Sequence, residues 1–147
     1  MSKKVAYLKS LDATQPNEVR VKIAASQTIL AGDLISITSG KGVKAGAAAT
    51  GILGIATQDI TTGTTVTDAD AILVIAINER SVVRMSYVGT TKTSLVDTDM
   101  YLTAFDIDAN QNINLDDTTG GAMLVVGYNN TNKTADVVIK RSALWNS

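Results

Sequence analysis

The chain has 147 residues and a formal net charge of −1, and it contains neither cysteine nor histidine. The missing side chains exclude disulfides, Cys or His nucleophile pairs, zinc sites of the usual N/S type and histidine pH switches. A nearly neutral chain is not steered to nucleic acid, and this length predicts one domain with a core of its own.

The first thirteen residues, MSKKVAYLKSLDA, contain no turn signal. The organisation expected is an N-terminal segment over 1–13 and a single β domain over 14–147, and the family resemblance described below implies that the N-terminal segment is an extended arm. Lys9 interrupts the apolar run, so no cleaved export signal is expected. The longest apolar run, AILVIAI at 71–77, is too short for a membrane helix. Without cysteine, the chain also suits a reducing cytoplasm, and no membrane partner is expected.

Short β-prone runs follow along the rest of the chain. EVRVKI at 18–23 alternates apolar and basic residues, which is typical of a half-buried strand. RSVVRMSYV alternates again and places Val83, Met85 and Tyr87 on one face. ILGIATQ and AILVIAI are apolar on both faces and predict central strands.

Further runs of the same kind are DLISIT, MYLTAF, AMLVVGY and ADVVIK, with turn-forming residues between them. Regularly spaced short strands favour an all-β fold. The prediction is a small antiparallel β-barrel or a β-tulip or sandwich, with the N-terminal arm extending from it.

The stretch SITSGKGVKAG at 36–46 contains the only glycine-rich lysine motif that resembles a phosphate-binding loop. Such a loop needs Ser or Thr directly after the lysine and a helix that begins there. Here Gly42 follows Lys41, and no helix pattern begins. The stretch therefore predicts a β-hairpin with a glycine-containing turn.

The segment DIDANQNINLDD at 106–117 resembles a calcium-binding loop in its spacing of oxygen-bearing side chains. Gln111 stands where a calcium loop needs glycine, and the last position is Asp rather than Glu. A β-turn at DANQN is the preferred interpretation, with a weak cation site as the alternative. The residues of that weak candidate are Asp106, Asp108, Asn110, Asn112 and Asp117.

The charges are unevenly distributed along the chain. Residues 1–44 carry seven Lys or Arg against three Asp or Glu, whereas residues 93–132 carry six Asp and no basic residue. These regions are either solvated loops or surfaces that meet between neighbouring copies.

Catalysis is not expected, because most carboxylates lie in predicted turns and aromatic residues make up 4% of the chain. No cofactor is expected either. Trp145, near the C-terminus, either plugs the end of the domain or anchors an interface, and Tyr7 lies in the N-terminal segment, the other place where an interface is expected. The composition therefore indicates a protein that acts by binding other proteins.

Several stretches together resemble the head decoration proteins, or auxiliary capsid proteins, of tailed bacteriophages. They are TILAGDLISITSGKGVKAGAAATGILGIATQDI, SVVRMSYVG and MLVVGYNNTNKTADVVIK, and the resemblance covers roughly residues 28–140. It rests on β-framework patterns and on no catalytic signature.

The resemblance implies a β-barrel or β-tulip that binds the outer face of an assembled phage head. It implies a homotrimer, the major capsid protein as partner, and stabilisation of the shell by bridging capsid subunits. Lys3, Lys4, Tyr7 and Trp145 are the expected capsid-contact residues. The alternatives are another virion subunit, from a tail tube or fibre base, and a β-module that binds a ligand such as sugar.

Overall fold

The computed structural model describes residues 5–12 and 15–146. Within them the chain is almost entirely β, and the helical elements are two 3₁₀ turns at Asp97–Asp99 and Arg141–Ala143. The all-β prediction is confirmed. The strands are β1 (Val5–Ser10), β2 (Asn17–Lys22), β3 (Thr28–Ile29), β4 (Leu34–Thr38), β5 (Lys41–Lys44), β6 (Ile52–Ala56), β7 (Ile60–Thr61), β8 (Ala71–Ala76), β9 (Ser81–Val88), β10 (Ala104–Ile107), β11 (Ile113–Asn114), β12 (Met123–Asn129) and β13 (Thr134–Ile139).

The larger sheet has the order β1-β9-β11-β10-β12-β13, and β13 pairs back onto β9. Five of these strands therefore close a barrel, and β1 is added to it beside β9. Val83 and Met85 of β9 pair with β1 and β13 at the same time, so these two strands occupy opposite edges of β9. All pairings in this sheet are antiparallel except β9 with β11.

The smaller sheet has the order β2-β8-β6-β4-β5, with every pair antiparallel. A parallel bridge between Ile23 and Gly42 brings the end of β2 beside β5, so this sheet also curls back on itself. A side chain at Gly42 would press on the side chains of Val21, Ile23 and Ile35. Glycine therefore allows the close approach at this seam. β3 and β7 form a separate two-stranded ribbon.

Two hydrophobic cores fill the molecule, and β4 and β6 lie between them. Leu34 and Ile55 point into the larger core, which includes Phe105, whereas Ile35 and Leu53 point into the smaller one. Because each of these strands is covered on both faces, its residues are apolar in succession and not in alternation. This explains the run ILGIA, which the sequence predicted as a central strand.

The two sheets are also joined by the fully buried side chain of Gln111, in the turn between β10 and β11. Its Oε1 accepts from the Leu34 N–H at 2.7 Å. Its Nε2 donates to the Leu34 carbonyl at 2.9 Å and to the Ala45 carbonyl at 2.8 Å. The amide of Gln111 thus supplies β4 with hydrogen bonds of the kind that a neighbouring strand would supply.

The structure confirms two local predictions from the sequence, the buried face of β9 and the β4–β5 hairpin. In β9, Val83, Met85 and Tyr87 are buried while Arg84 is exposed, as the alternation predicts. The stretch 36–46 contains the predicted β4–β5 hairpin, whose turn residues Ser39 and Gly40 both have positive φ. This backbone is typical of a tight two-residue hairpin turn.

Residues 5–10, which the sequence prediction placed in an arm, form the edge strand β1 of the larger sheet. Val5 is fully buried, and its N–H donates to the Gly32 carbonyl at 3.1 Å. A register shift between Tyr7 and Lys9 interrupts the pairing with β9. Such bulges protect an edge strand from further pairing.

Candidate functional site

A groove of about 180 Å³ opens where β1, the end of β8, the start of β9 and the C-terminal segment meet. We call it the terminal groove. Tyr7 and Trp145, which the sequence singled out separately, both line it. None of its lining residues is charged; the others include Gln15, Asn17, Asn78 and Ser81.

Trp145 is held in place by the backbone of the segment that carries it. The N–H of Trp145 donates to the Ile52 carbonyl at 3.0 Å, next to a bridge between Ile52 and Leu144. Leu144 and Ala143 are buried in the larger core. The chain before Trp145 is therefore fixed, while the side chain of Trp145 remains 55% exposed.

The floor of the terminal groove is a rigid turn between β8 and β9. The Asn78 N–H donates to Ser81 Oγ at 3.0 Å, and the Ser81 N–H donates to the Asn78 carbonyl at 3.1 Å. Asn78 Oδ1 accepts from the Arg80 N–H at 2.8 Å. These bonds fix the backbone of the turn before any partner binds, which lowers the entropy cost of binding.

Two ion pairs lie near the terminal groove: Arg80 is the chain neighbour of Ser81, and Arg141 and Glu79 line an adjoining pocket that shares Asn78 and Asn146 with it. Arg80 Nε lies 3.8 Å from an Asp12 carboxylate oxygen, and Arg141 Nε lies 3.9 Å from a Glu79 carboxylate oxygen. Both pairs are largely exposed, and such pairs contribute little to stability. Their arginines therefore remain able to pair with a partner's carboxylates.

Three of the five calcium candidates, the aspartates, accept hydrogen bonds from backbone N–H groups, and Asn110 and Asn112 take part through their own N–H groups. Asp106 is 4% exposed, and its carboxylate accepts from the N–H groups of Ala48 and Ile107. Asp108 Oδ1 accepts from the N–H groups of Asn110 and Asn112. Asp117 Oδ1 accepts from the Thr119 N–H. The predicted β-turn is present between β10 and β11, where the Gln111 N–H donates to the Asp108 carbonyl. Within the described residues, no group of three or more acidic side chains is placed to hold a metal.

Other carboxylates of the acidic region 93–132 also order turns. Asp116 accepts from the N–H groups of Thr90, Thr91 and Lys92 and from the Thr90 hydroxyl. These bonds, led by those from Thr90 and Lys92, lower the pKa of Asp116 to about 2. The high density of Asp in this region thus has a local cause, because each turn needs an acceptor for its free N–H groups.

Lys3 and Lys4, the other two expected contact residues, lie outside the described residues. Asn17, Asn78 and Ser81 line the groove but were not predicted as site residues. No local signal distinguishes them from ordinary turn residues, because they reach the groove only through the pairing of β1 with β9 and of β2 with β8.

No protein-family model matches this chain, and the search of curated proteins gave no match. In the part of the chain that the structure describes, no helix is long and apolar enough to span a membrane.

Proposed function

We propose that this is a structural virion protein that binds the outer surface of an assembled phage head and bridges neighbouring major capsid subunits. The observation that supports it is the terminal groove, where Tyr7 and a half-exposed Trp145 line one uncharged surface and the ion pairs of Arg80 and Arg141 lie near it. Tyr7 is half-buried against the larger core, whereas Trp145 is largely exposed. Trp, Tyr and Arg are the side chains that dominate binding energy at protein interfaces.

The chemistry of the terminal groove suits a contact site better than a reaction site. Asp68, Arg84, Tyr87, Asp116 and Tyr128 have clearly shifted pKa values, and all five lie outside the groove. Perturbed acids and bases accompany catalytic clefts. The groove instead offers aromatic surface and amide groups, which bind without changing a partner's bonds.

Several such contacts per assembly account for firm attachment to a shell. Tyr7, Trp145 and, in the N-terminal segment, Lys3 and Lys4 are the proposed contacts with neighbouring subunits. When one contact holds a copy or a ring of copies in place, the next becomes effectively intramolecular and raises avidity by about 10²–10⁴-fold. Because the protein binds the assembled lattice and not the free capsid subunits, it stabilises that lattice by mass action. The stabilisation is about 3–4 kcal/mol per site when the free protein is at 100 to 1,000 times its Kd.

The test uses heads of the encoding phage assembled without this protein. The wild-type chain should co-sediment with them to a saturable stoichiometry. Trp145→Ala should weaken that binding by about 30-fold or more, as loss of an interface anchor does. Leu73→Ser, a change at an exposed apolar position on β8 outside the groove, should bind like the wild type. If Trp145→Ala binds the heads as tightly as the wild type does, the terminal groove does not contact the head.

A second candidate function is a ligand-binding β-module. It is favoured by the combination of two aromatic rings with uncharged amides in a groove of this size. Titration with neutral monosaccharides, followed by the fluorescence of Trp145, tests it. An unchanged emission spectrum up to saturating sugar would dismiss the sugar-binding candidate.

A further inference from the structure

The segment that follows β13 lies outside the strands of both sheets but connects the two sheets. It contains the 3₁₀ turn Arg141–Ala143 and continues across the end of β6. Leu144 forms a parallel bridge with Ile52 of β6, and the Trp145 N–H donates to the Ile52 carbonyl at 3.0 Å. We call residues 140–146 the C-terminal strap, because they tie β6 of the smaller sheet to the end of β13 in the larger one.

The strap is held mainly by one side chain. Leu144 is 3% exposed and packs in the larger core, together with the small side chain of Ala143. At the start of the strap, the Lys140 N–H donates to the Ala122 carbonyl at 2.8 Å. The N–H groups of Ala143 and Leu144 donate to carbonyls within the strap itself. Leu144 is therefore the anchor that keeps the strap against the molecule.

Both sheets are complete without the strap. β13 pairs with β12 on one side and with β9 on the other, so the larger barrel closes before the chain reaches residue 140. Gln111 joins the larger barrel to β4 independently of the strap. Release of the strap therefore breaks no pairing between strands of either sheet. Terminal segments with few buried contacts open at a lower free energy than the fold as a whole.

We propose that the C-terminal strap opens and closes as a unit while both sheets stay folded, and that the terminal groove exists only when the strap is closed. Trp145 and Asn146 line the groove and belong to the strap. Tyr7 and Asn78 line the groove from β1 and from the turn after β8. When the strap opens, these two residues stay in place and the groove loses Trp145.

The strap thereby controls the binding surface. A partner that binds the complete groove binds only the closed state, so it shifts the equilibrium towards closure. Its apparent affinity falls in proportion to the fraction of molecules whose strap is open. This consequence rests on the proposed function, whereas the opening itself is a property of the isolated chain.

Amide hydrogen exchange, followed residue by residue by NMR, tests the opening in the wild-type chain. The Trp145 N–H should exchange about 100-fold faster or more than the hydrogen-bonded amides of β12 and β13. Opening of a short strap exposes little surface, so urea below the unfolding transition should hardly accelerate exchange at Trp145, while it accelerates exchange in β12 and β13. Equal rates with equal urea dependence would overturn the inference.

A full-length variant tests what holds the strap. In Leu144→Asp, closure would bury a charge in the larger core, so the strap should stay open. The variant should keep its circular dichroism spectrum and a cooperative urea transition. Trp145 is the only tryptophan, and in this variant its emission should shift to longer wavelength and its N–H should lose protection.

The matched control is Leu102→Asp, at a leucine that is 79% exposed, and it should behave like the wild type in every measurement. A Leu144→Asp chain that unfolds would show that the strap is not an independent unit. A folded Leu144→Asp chain with unchanged Trp145 emission and protection would show that Leu144 does not hold the strap. Either result would overturn the inference.

Binding to phage heads separates this inference from the proposed function. Leu144→Asp should bind heads as weakly as Trp145→Ala does, and Leu102→Asp should bind like the wild type. A wild-type chain that does not bind heads would contradict the proposed function, while the exchange measurements on the isolated chain would still decide whether the strap opens. Tight head binding by a Leu144→Asp chain whose strap is open would overturn the control of binding by the strap.

Discussion

Replacing Gln111 with leucine should strongly destabilise the fold, because this side chain joins the two sheets. Gln111 is fully buried and makes three hydrogen bonds to Leu34 and Ala45. Leucine has a similar volume, so the substitution creates little cavity. It removes the hydrogen-bond partners of groups that stay buried.

The expected cost follows from those partners. The Leu34 carbonyl keeps the Ala45 N–H as a donor at 2.9 Å, whereas the Leu34 N–H and the Ala45 carbonyl lose the bonds that Gln111 made. Each buried group left unsatisfied costs about 1–3 kcal/mol, so Gln111→Leu should lower the free energy of unfolding by about 2–6 kcal/mol.

Urea denaturation followed by circular dichroism measures this cost. The matched control is Gln58→Leu, which removes the bond from the Leu73 N–H to Gln58 Oε1 at an exposed position. Water can replace that bond, so the control should lose less than about 1 kcal/mol. A loss of less than about 1 kcal/mol for Gln111→Leu would refute the reasoning that this amide joins the sheets.

Further predictions concern a turn, a strand and the N-terminal segment. The pKa of Asp116 is about 2 in the fold against 3.8 for an ordinary Asp, so its stabilisation is complete above about pH 4 and lost towards pH 2. The gap in melting temperature between the wild type and Asp116→Asn should therefore shrink from pH 5 to pH 2, and a constant gap would contradict this. Gly54→Ala should cost more than about 2 kcal/mol in urea denaturation, because its Cβ would overlap a backbone carbonyl of β8. Gly63→Ala, in open space, is the control, and equal losses would contradict the packing argument. Changing Lys3 and Lys4 to alanine should weaken head binding and flatten its salt dependence in co-sedimentation, whereas an unchanged salt profile would exclude their contact.

Features that depend on local periodicity were predictable from the sequence. The alternation in β9 identified which of its residues are buried, and the glycine-containing turn identified the β4–β5 hairpin. The run of β6, which is apolar on both faces, predicted a central strand, but nothing in that run indicates that the strand separates two cores. AILVIAI also forms a central strand, β8, yet Leu73 on its outer face is partly exposed.

Features that depend on distant pairing were not predictable. Gln111 appears in the sequence as one more polar residue of a turn, because its partners Leu34 and Ala45 are 77 and 66 positions away. β1 was assigned to an arm on the family resemblance, and its pairing with β9, more than seventy positions along the chain, has no signal in the local sequence.

In the candidate site, too, the local features were predictable and the features that depend on distant pairing were not. Tyr7 and Trp145 were identified from their residue types and their places near the termini. Their convergence on one groove results from the pairing of β1 with β9 and of the C-terminal segment with β6. Asn78 and Ser81, which form the floor, carry no signal in the sequence beyond that of a turn.

Electron microscopy of phage heads assembled without this protein, imaged before and after its addition, tests the central claim most directly. We expect added density on the outer surface of the shell, at regular positions that touch more than one capsid subunit. Heads that gain no density, or a purified chain that stacks into tubes, would contradict the claim that this protein decorates the head.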